Sequence, residues 1–122
     1  MKSLLTAFVL FASSNAFAAL PAKLDCDSGN LGEDSYVYVN VTAATVDIGM
    51  HESNYPLARA KTVTRGNTIA VVDRTIRGSA EGDTFVVQVS ALLVYDEARK
   101  VLNATFFADG YPIISNKELN CK

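Results

Sequence analysis

Apolar and polar residues alternate along much of the chain that follows residue 35. The segment SYVYVNVTA alternates three valines with two tyrosines and an asparagine: Val37, Val39 and Val41 against Tyr36, Tyr38 and Asn40. Successive side chains of a β-strand point to opposite faces, so this pattern predicts a strand with its valines toward a core. The tyrosines and the asparagine then form an outward aromatic and polar face.

The alternation changes phase after this segment. Val46, Ile48 and Met50 lie on even numbers, and a straight strand cannot place them on the same face as the odd-numbered valines. A bulge or bend around Ala43 and Ala44 is predicted to bring both sets of side chains to one core.

Four later segments also have the composition of strands: TIAVVDRTI, TFVVQVSALLVY, VLNATFFA and YPIISNKELNCK. Both faces of TFVVQVSALLVY are apolar, which predicts a central strand covered on both sides. Asp109-Gly110 predicts a tight hairpin, since both positions tolerate a positive φ. The last segment is predicted to be an edge strand with Pro112 near its start. Between Met50 and Thr68 we expect a loop, a weak strand at residues 58–64 and an Arg-Gly-Asn turn.

These elements favour an all-β fold. Six or seven antiparallel strands in chain order, with turns about every ten residues, predict a small meander closed into a barrel or a sandwich. The pattern fits either architecture. No interdomain linker interrupts it, so residues 19–122 are predicted to form a single domain.

The first 20 residues have the pattern of an export signal. Lys2 precedes an apolar run, and the segment ends on the small-x-small motif Ala16-Phe17-Ala18. The run is too short for a spanning helix, which needs about 20 mostly apolar residues. We therefore expect residues 1–18 to be removed, and the mature protein to be periplasmic or secreted without stable membrane insertion.

The charge balance of this mature chain is ordinary. The whole chain has 11 Lys and Arg against 13 Asp and Glu, and loss of Lys2 leaves 10 − 13 = −3. Such a balance gives no general attraction for nucleic acid, which requires concentrated cations.

The two cysteines, Cys26 and Cys121, lie near opposite ends of the mature chain. In an oxidising compartment an even pair predicts a disulfide. Neither cysteine belongs to a C-x-x-C motif, and neither has the neighbouring ligands of a zinc site. A bridge that closes nearly the whole chain would stabilise it by about 4–5 kcal/mol in the chain-entropy model.

The segments around the cysteines, LDCDSGN and LNCK, are similar to those of small periplasmic lysozyme-inhibitor barrels. The resemblance covers the signal, the cysteine frame and the strand rhythm, and it implies a short exported β domain with a disulfide between its ends. The chain has no tryptophan, and it lacks the glycine-rich lysozyme-contacting loop of that class. No site residue is carried over from the resemblance.

Cations crowd the middle of the chain: Arg59, Lys61, Arg65, Arg74 and Arg77. If residues 58–64 pair with residues 68–76, Arg59, Lys61 and Arg74 share a basic ridge. This ridge is interpreted either as a binding surface or as an edge hairpin protected from aggregation by its charge.

The outward face of Tyr36, Tyr38 and Asn40 is the second candidate binding surface. Its rings could stack on sugars or bury against a protein partner. Tyrosine also suits exposed strand positions that have no partner.

Two motifs with possible chemistry are weak. His51 beside Glu52 could form a general base, but neighbouring strand residues point to opposite faces and no nucleophile accompanies them. The acidic segment DCDSGNLGED lacks the glycine that a calcium loop carries at its sixth position. We therefore expect no enzyme activity, no metal and no other cofactor.

These observations predict an exported, non-catalytic binding module that recognises an envelope or extracellular protein or glycan through the tyrosine face or the basic ridge. The alternatives are a structural envelope component and a small periplasmic inhibitor of a hydrolase such as lysozyme. The sequence leaves the oligomeric state open.

Overall fold

The computed structural model describes residues 20–29, 36–50 and 53–122, with the side chains of residues 73–77 outside the description. Nine strands and a short 3-10 helix at Arg59–Lys61 make up this part of the chain. The strands are β1 (Leu24–Asp27), β2 (Val37–Val41), β3 (Thr45–Met50), β4 (Ser53–Ala58), β5 (Val63–Arg65), β6 (Thr68–Ala80), β7 (Asp83–Asp96), β8 (Val101–Ala108) and β9 (Tyr111–Cys121). None of the helical turns described here is long and apolar enough to cross a membrane. The predicted signal, residues 1–18, lies outside the described residues.

The strands close into an antiparallel barrel. Around the ring the order is β1, β2, β3, β4, β6, β7, β8 and β9, and β9 returns to β1. Strand β5 pairs with the first residues of β6 and lies outside the ring. The all-β prediction is therefore confirmed, and the architecture is a barrel rather than a sandwich. The described residues form nine strands, slightly more than the six or seven expected.

Alternate side chains of the strands fill the barrel. The valines of β2 are buried as predicted, and so are Val46 and Ile48 of β3. The largest fully buried side chains come from six strands: Ile48, Leu57, Ile69, Leu93, Leu102, Phe106 and Leu119. The interior of the barrel is therefore a packed hydrophobic core, as small eight-stranded barrels allow.

The predicted bend at Ala43 and Ala44 is present, and it is the turn of a hairpin between β2 and β3 rather than a bulge. Val41 pairs with Val46 across the hairpin. The Thr42 hydroxyl accepts the N–H groups of Ala44 at 3.2 Å and Thr45 at 3.0 Å. A threonine side chain thus satisfies the turn backbone where the sequence has no glycine, asparagine or proline.

The prediction that TFVVQVSALLVY is covered on both sides is wrong. One face of β7 lies in the core, but Val86 and Leu92 on the other face are exposed to solvent. A barrel strand has one inner and one outer face, and nothing in the described part of the chain packs over this outer face.

The segment between β3 and β6 differs from the prediction. Only the end of the weak strand expected at residues 58–64 forms, as part of β5, because the 3-10 helix at Arg59–Lys61 occupies the residues before it. Strand β4 lies before this helix and β5 after it. The expected turn at Gly66 and Asn67 is present and connects β5 to β6.

Strand β9 is a member of the ring and not the predicted edge strand. It pairs with β8 along much of its length and with β1 near its C-terminal end. The predicted hairpin before it is confirmed, with φ of 50° at Asp109 and 80° at Gly110.

The ring is closed at a short seam between β1 and β9. Cys26 lies opposite Cys121, and Asp27 lies opposite Asn120. The predicted disulfide joins the two cysteines, whose Cα atoms are 4.0 Å apart. The first and last strands are therefore held together covalently at the point where they meet.

A second short seam lies between β4 and β6. Its ladder consists of Ser53 opposite Ala80 and Asn54 opposite Ser79. Beside it, the Tyr55 ring of β4 contacts Phe106 of β8 and Phe85 of β7, with ring centroids 4.9 Å and 5.8 Å apart. A Cβ atom at Gly78 would lie 2.6 Å from the Phe85 ring, so this position of β6 requires glycine. Aromatic packing thus joins the strands where the ladder is short.

Breaking the disulfide should destabilise the barrel strongly. We expect Cys26→Ser to lower the free energy of unfolding by about 2–5 kcal/mol, because the open chain regains the conformational freedom that the bridge removes. Cys26→Ser/Cys121→Ser should lose as much as the single variant, since either change opens the same bond. Thermal and urea unfolding measure both; an oxidised protein no more stable than the double variant would contradict this role.

Candidate functional site

Tyr36, Tyr38 and Asn40 lie side by side on the outer surface of the barrel. Each is half-buried, and the two tyrosine rings are tilted by 40° with centroids 6.2 Å apart. Tyr38 and Asn40 alternate along β2 with valines that point into the core. The structure therefore brings these three predicted residues together.

Tyr38 also covers a glycine of the neighbouring strand. It lies opposite Gly49 of β3, where a Cβ atom would overlap its ring. Asn54 of β4 donates a hydrogen bond from Nδ2 to the Tyr38 hydroxyl at 2.9 Å. An aromatic side chain laid across a strand glycine restores the cross-strand contact that glycine lacks. Tyr38 is therefore part of the sheet as well as of its surface.

A row of polar side chains crosses the same outer face beside Tyr38. Asn40 of β2 lies opposite Asp25 of β1 on one side and opposite Asp47 of β3 on the other. Directly opposed residues have Cβ atoms about 4.5–5.5 Å apart. The Asn40 amide is therefore placed between two carboxylates.

These three residues line a groove of about 430 Å³. Its polar lining consists of Lys23, Asp25, Asn40, Thr42, Asp47 and Lys122. The volume falls in the range of about 300–1,000 Å³ that small-molecule sites occupy. The lining offers two ammonium groups, two carboxylates, an amide and a hydroxyl, so it both donates and accepts hydrogen bonds.

Two polar groups in this row are uncompensated. The Oδ1 atom of Asn40 is buried without a hydrogen-bond partner among the described residues. Burial raises the pKa of the Asp47 carboxyl above its ordinary value of 3.8, and no described residue opposes this with an ion pair or hydrogen bond. Buried polar groups are normally paired, so the unpaired Asn40 oxygen costs stability, and the half-buried Asp47 carboxylate adds a partial desolvation cost.

The predicted basic ridge is not assembled by the strand pairing that was expected. Arg59 and Lys61 lie in the 3-10 helix, and the side chain of Arg74 lies outside the described part of the structure. Arg59 is half-buried, with its Nη1 atom buried and without a partner among the described groups. Its backbone N–H donates to the Ala44 carbonyl at 2.8 Å, which places the 3-10 helix beside the β2–β3 hairpin.

The two motifs with possible chemistry fall largely outside the description. His51 and Glu52 are both outside it. Of the acidic segment, residues 25–29 are described. The Asp27 carboxylate accepts the Gly29 N–H at 2.8 Å and lies 3.8 Å from the Lys122 ammonium. Within residues 20–29, 36–50 and 53–122, no three His, Cys, Asp or Glu side chains form a group that could hold a metal ion.

Comparisons of the chain with protein-family models, with curated proteins and with solved structures return no match. The site is therefore interpreted from its own geometry.

Of the six polar residues that line the groove, the sequence analysis assigned only Asn40 to a binding surface and missed Lys23, Asp25, Thr42, Asp47 and Lys122. The register of the β1–β2 and β2–β3 pairs brings Asp25 and Asp47 beside Asn40. Lys122 is held there by the hydrogen bond from its backbone N–H to the Asp25 carbonyl. The register could have been deduced had the Thr42–Thr45 hairpin been recognised, because it sets Asn40 opposite Asp47.

Gly49→Ala should disturb Tyr38 and not the core. The added methyl group overlaps the ring, so we expect a loss of about 1–3 kcal/mol in the free energy of unfolding, as for other overpacked positions. Tyr38→Ala should remove the overlap, so Gly49→Ala should cost much less in that background, a non-additivity that a double-mutant cycle measures. Equal costs in both backgrounds would show that Tyr38 does not lie over Gly49.

Asp47→Asn should stabilise the protein at neutral pH. The pKa of Asp47 is raised in the folded state, so the folded protein holds its proton more tightly and loses stability as pH rises from about 3.8 through the folded-state pKa. The amide variant avoids this loss. Its melting temperature should exceed that of the unmodified protein at pH 7 and match it near pH 3. Asp83→Asn, at an exposed position, is the control. A lower melting temperature for Asp47→Asn at pH 7 would contradict the raised pKa of Asp47.

Proposed function

We propose that the protein is an exported, non-catalytic binding protein that recognises a glycan of the cell envelope or extracellular space. The binding surface is the polar face, defined as Tyr38, Asp25, Asn40 and Asp47 on the outside of β1, β2 and β3. The observation that carries the proposal is the uncompensated pair at its centre, the buried Oδ1 of Asn40 and the desolvated carboxyl of Asp47.

The polar face has the chemistry that sugar hydroxyls require. Each hydroxyl donates one hydrogen bond and accepts others, and carboxylate and amide groups supply the matching acceptors and donors. Hydrogen bonds to a carboxylate are stronger than those between neutral groups. Rotation of the Asn40 amide exchanges its oxygen and nitrogen, so either atom can face the groove. Tyr38 adds a flat apolar surface two positions along β2.

The cost of holding these groups unpaired favours function over structure. Proteins depart from local rules of polar pairing mostly at functional sites. A bound sugar would supply hydrogen bonds to Asp47 without requiring the barrel to move. Asp47→Asn would then stabilise the protein and weaken binding, since substitutions that raise stability at a functional site often reduce function.

Export is supported by two features. The first 18 residues have the pattern of a signal peptide. The Cys26–Cys121 disulfide is a bond that forms and persists in oxidising compartments.

Glycan-array screening of the oxidised protein, followed by calorimetric titration of the best sugar, tests the proposal. Asp47→Asn and Asn40→Ala should each weaken binding by at least about tenfold, which corresponds to about 1.4 kcal/mol. Asp83→Asn, on β7, should bind as the unmodified protein does. No binding to any sugar, or equal binding by all variants, would overturn the proposal.

The two alternative functions predict different experimental results. A hydrolase inhibitor would lower the activity of lysozyme added to it, and a structural component would remain with the envelope fraction whether or not Asp47 is replaced. Capture of a protein through the polar face, with no sugar bound, would replace the glycan by a protein partner.

A further inference from the structure

An apolar patch lies on the outer face of β6, β7 and β8. The strand register sets Ala70, Leu92 and Thr105 in one row and Val72, Ser90 and Phe107 in the next. Val72, Leu92 and Phe107 are 73%, 48% and 36% exposed. No charged residue stands in these two rows. Large exposed apolar side chains grouped in this way mark interaction surfaces in many proteins.

The apolar patch has hollows as well as projections. Phe107 lines a groove of about 300 Å³ on the side of Val72 and Leu92, and another of about 310 Å³ on the side of Gln88 and Gly110. A surface with apolar projections beside hollows can interlock with a second copy of itself.

Opposite charges flank the patch at diagonal corners. Arg65 of β5 lies in the row of Val94, one row beyond Leu92. Asp109 follows β8 at the other end, where its carboxylate accepts the Gln88 N–H at 2.9 Å. Val94 and Gln88 are six positions apart, or about 20 Å along the strand. Both charged residues are exposed.

We propose that the apolar patch pairs with the apolar patch of a second copy of this chain. The two-fold axis lies in the plane of the contact and is perpendicular to the line from Arg65 to Asp109. It brings Arg65 of each copy onto Asp109 of the other. Such isologous contacts are the commonest form of protein oligomer. Charge complementarity of the patch with itself selects a copy of the chain over an unrelated partner.

The dimer leaves the polar face free. Strands β2 and β7 are four strands apart in either direction around the ring of eight, so they lie on opposite sides of the barrel. Two copies joined at β7 would present their β2 strands on opposite outer surfaces. If the proposed glycan recognition holds, the dimer is bivalent and can bridge two sugar chains, which raises its avidity without any new contact.

Sedimentation equilibrium of the purified oxidised protein, without any sugar, tests the dimer separately from the glycan. We expect a monomer–dimer equilibrium whose dissociation constant rises at least about tenfold in Leu92→Glu. Ala43→Glu is the control: it places the same charge at an exposed position of the β2–β3 hairpin, on the side of the barrel opposite the patch, and should leave the constant unchanged. A protein that stays monomeric, or one that associates equally in both variants, overturns the proposal.

Charge reversal tests the two-fold arrangement itself. Arg65→Glu and Asp109→Lys should each weaken self-association, because each variant faces like charges at both corners. Lysine is compatible with the backbone at Asp109, since Lys100 has a similar φ of 52°. Mixing the two variants should restore dimers as a heterodimer with opposite charges at both corners. Failure of the mixture to dimerise, with both variants folded by circular dichroism, would exclude this axis.

Discussion

Closure of the ring across two short seams is the constraint on which the rest of this structure depends. One seam joins β1 to β9 and is fastened by the Cys26–Cys121 disulfide. The other joins β4 to β6 and is packed by Tyr55 against Phe85 and Phe106. The longer ladders lie within the two runs of strands, β1 to β4 and β6 to β9, and each run alone would be a curved sheet with an exposed apolar face. Closing both seams buries those faces in one core.

The same constraint places the two surfaces of interest. The first run of strands carries the polar face, and the second carries the apolar patch, so the barrel keeps them on opposite sides. Asp25 belongs to the strand that the disulfide holds, and the backbone N–H of Lys122 donates to the Asp25 carbonyl at 2.9 Å. The groove beside Asn40 therefore depends on the β1–β9 seam for two of its charged residues. The disulfide therefore also holds two residues of the proposed binding site, Asp25 and Lys122, in place.

Much of the fold could be predicted because local sequence patterns determine it. The valines of β2, the inner face of β7, the Asp109-Gly110 hairpin and the cysteine pair each follow from period, turn chemistry or compartment. The Thr42–Thr45 hairpin was missed because threonine hydroxyls, rather than glycine, satisfy its backbone. The outer face of β7 was misread because an apolar side chain looks the same in sequence whether a neighbouring layer covers it or not. Asp25 and Asp47 could not be assigned to one site, since their proximity is a property of strand register.

Hydrogen exchange measured by mass spectrometry tests the central claim most directly, by comparing the oxidised protein with a form lacking the disulfide. If the bond holds the β1–β9 seam in the folded state, its loss should speed exchange first in β1, β2 and the end of β9, while amides of β6, β7 and β8 remain protected. Uniform acceleration in every strand would show that the bond acts through the unfolded chain alone. Earliest loss of protection at β4 and β6 would show that the aromatic seam, and not the disulfide, is where the barrel opens.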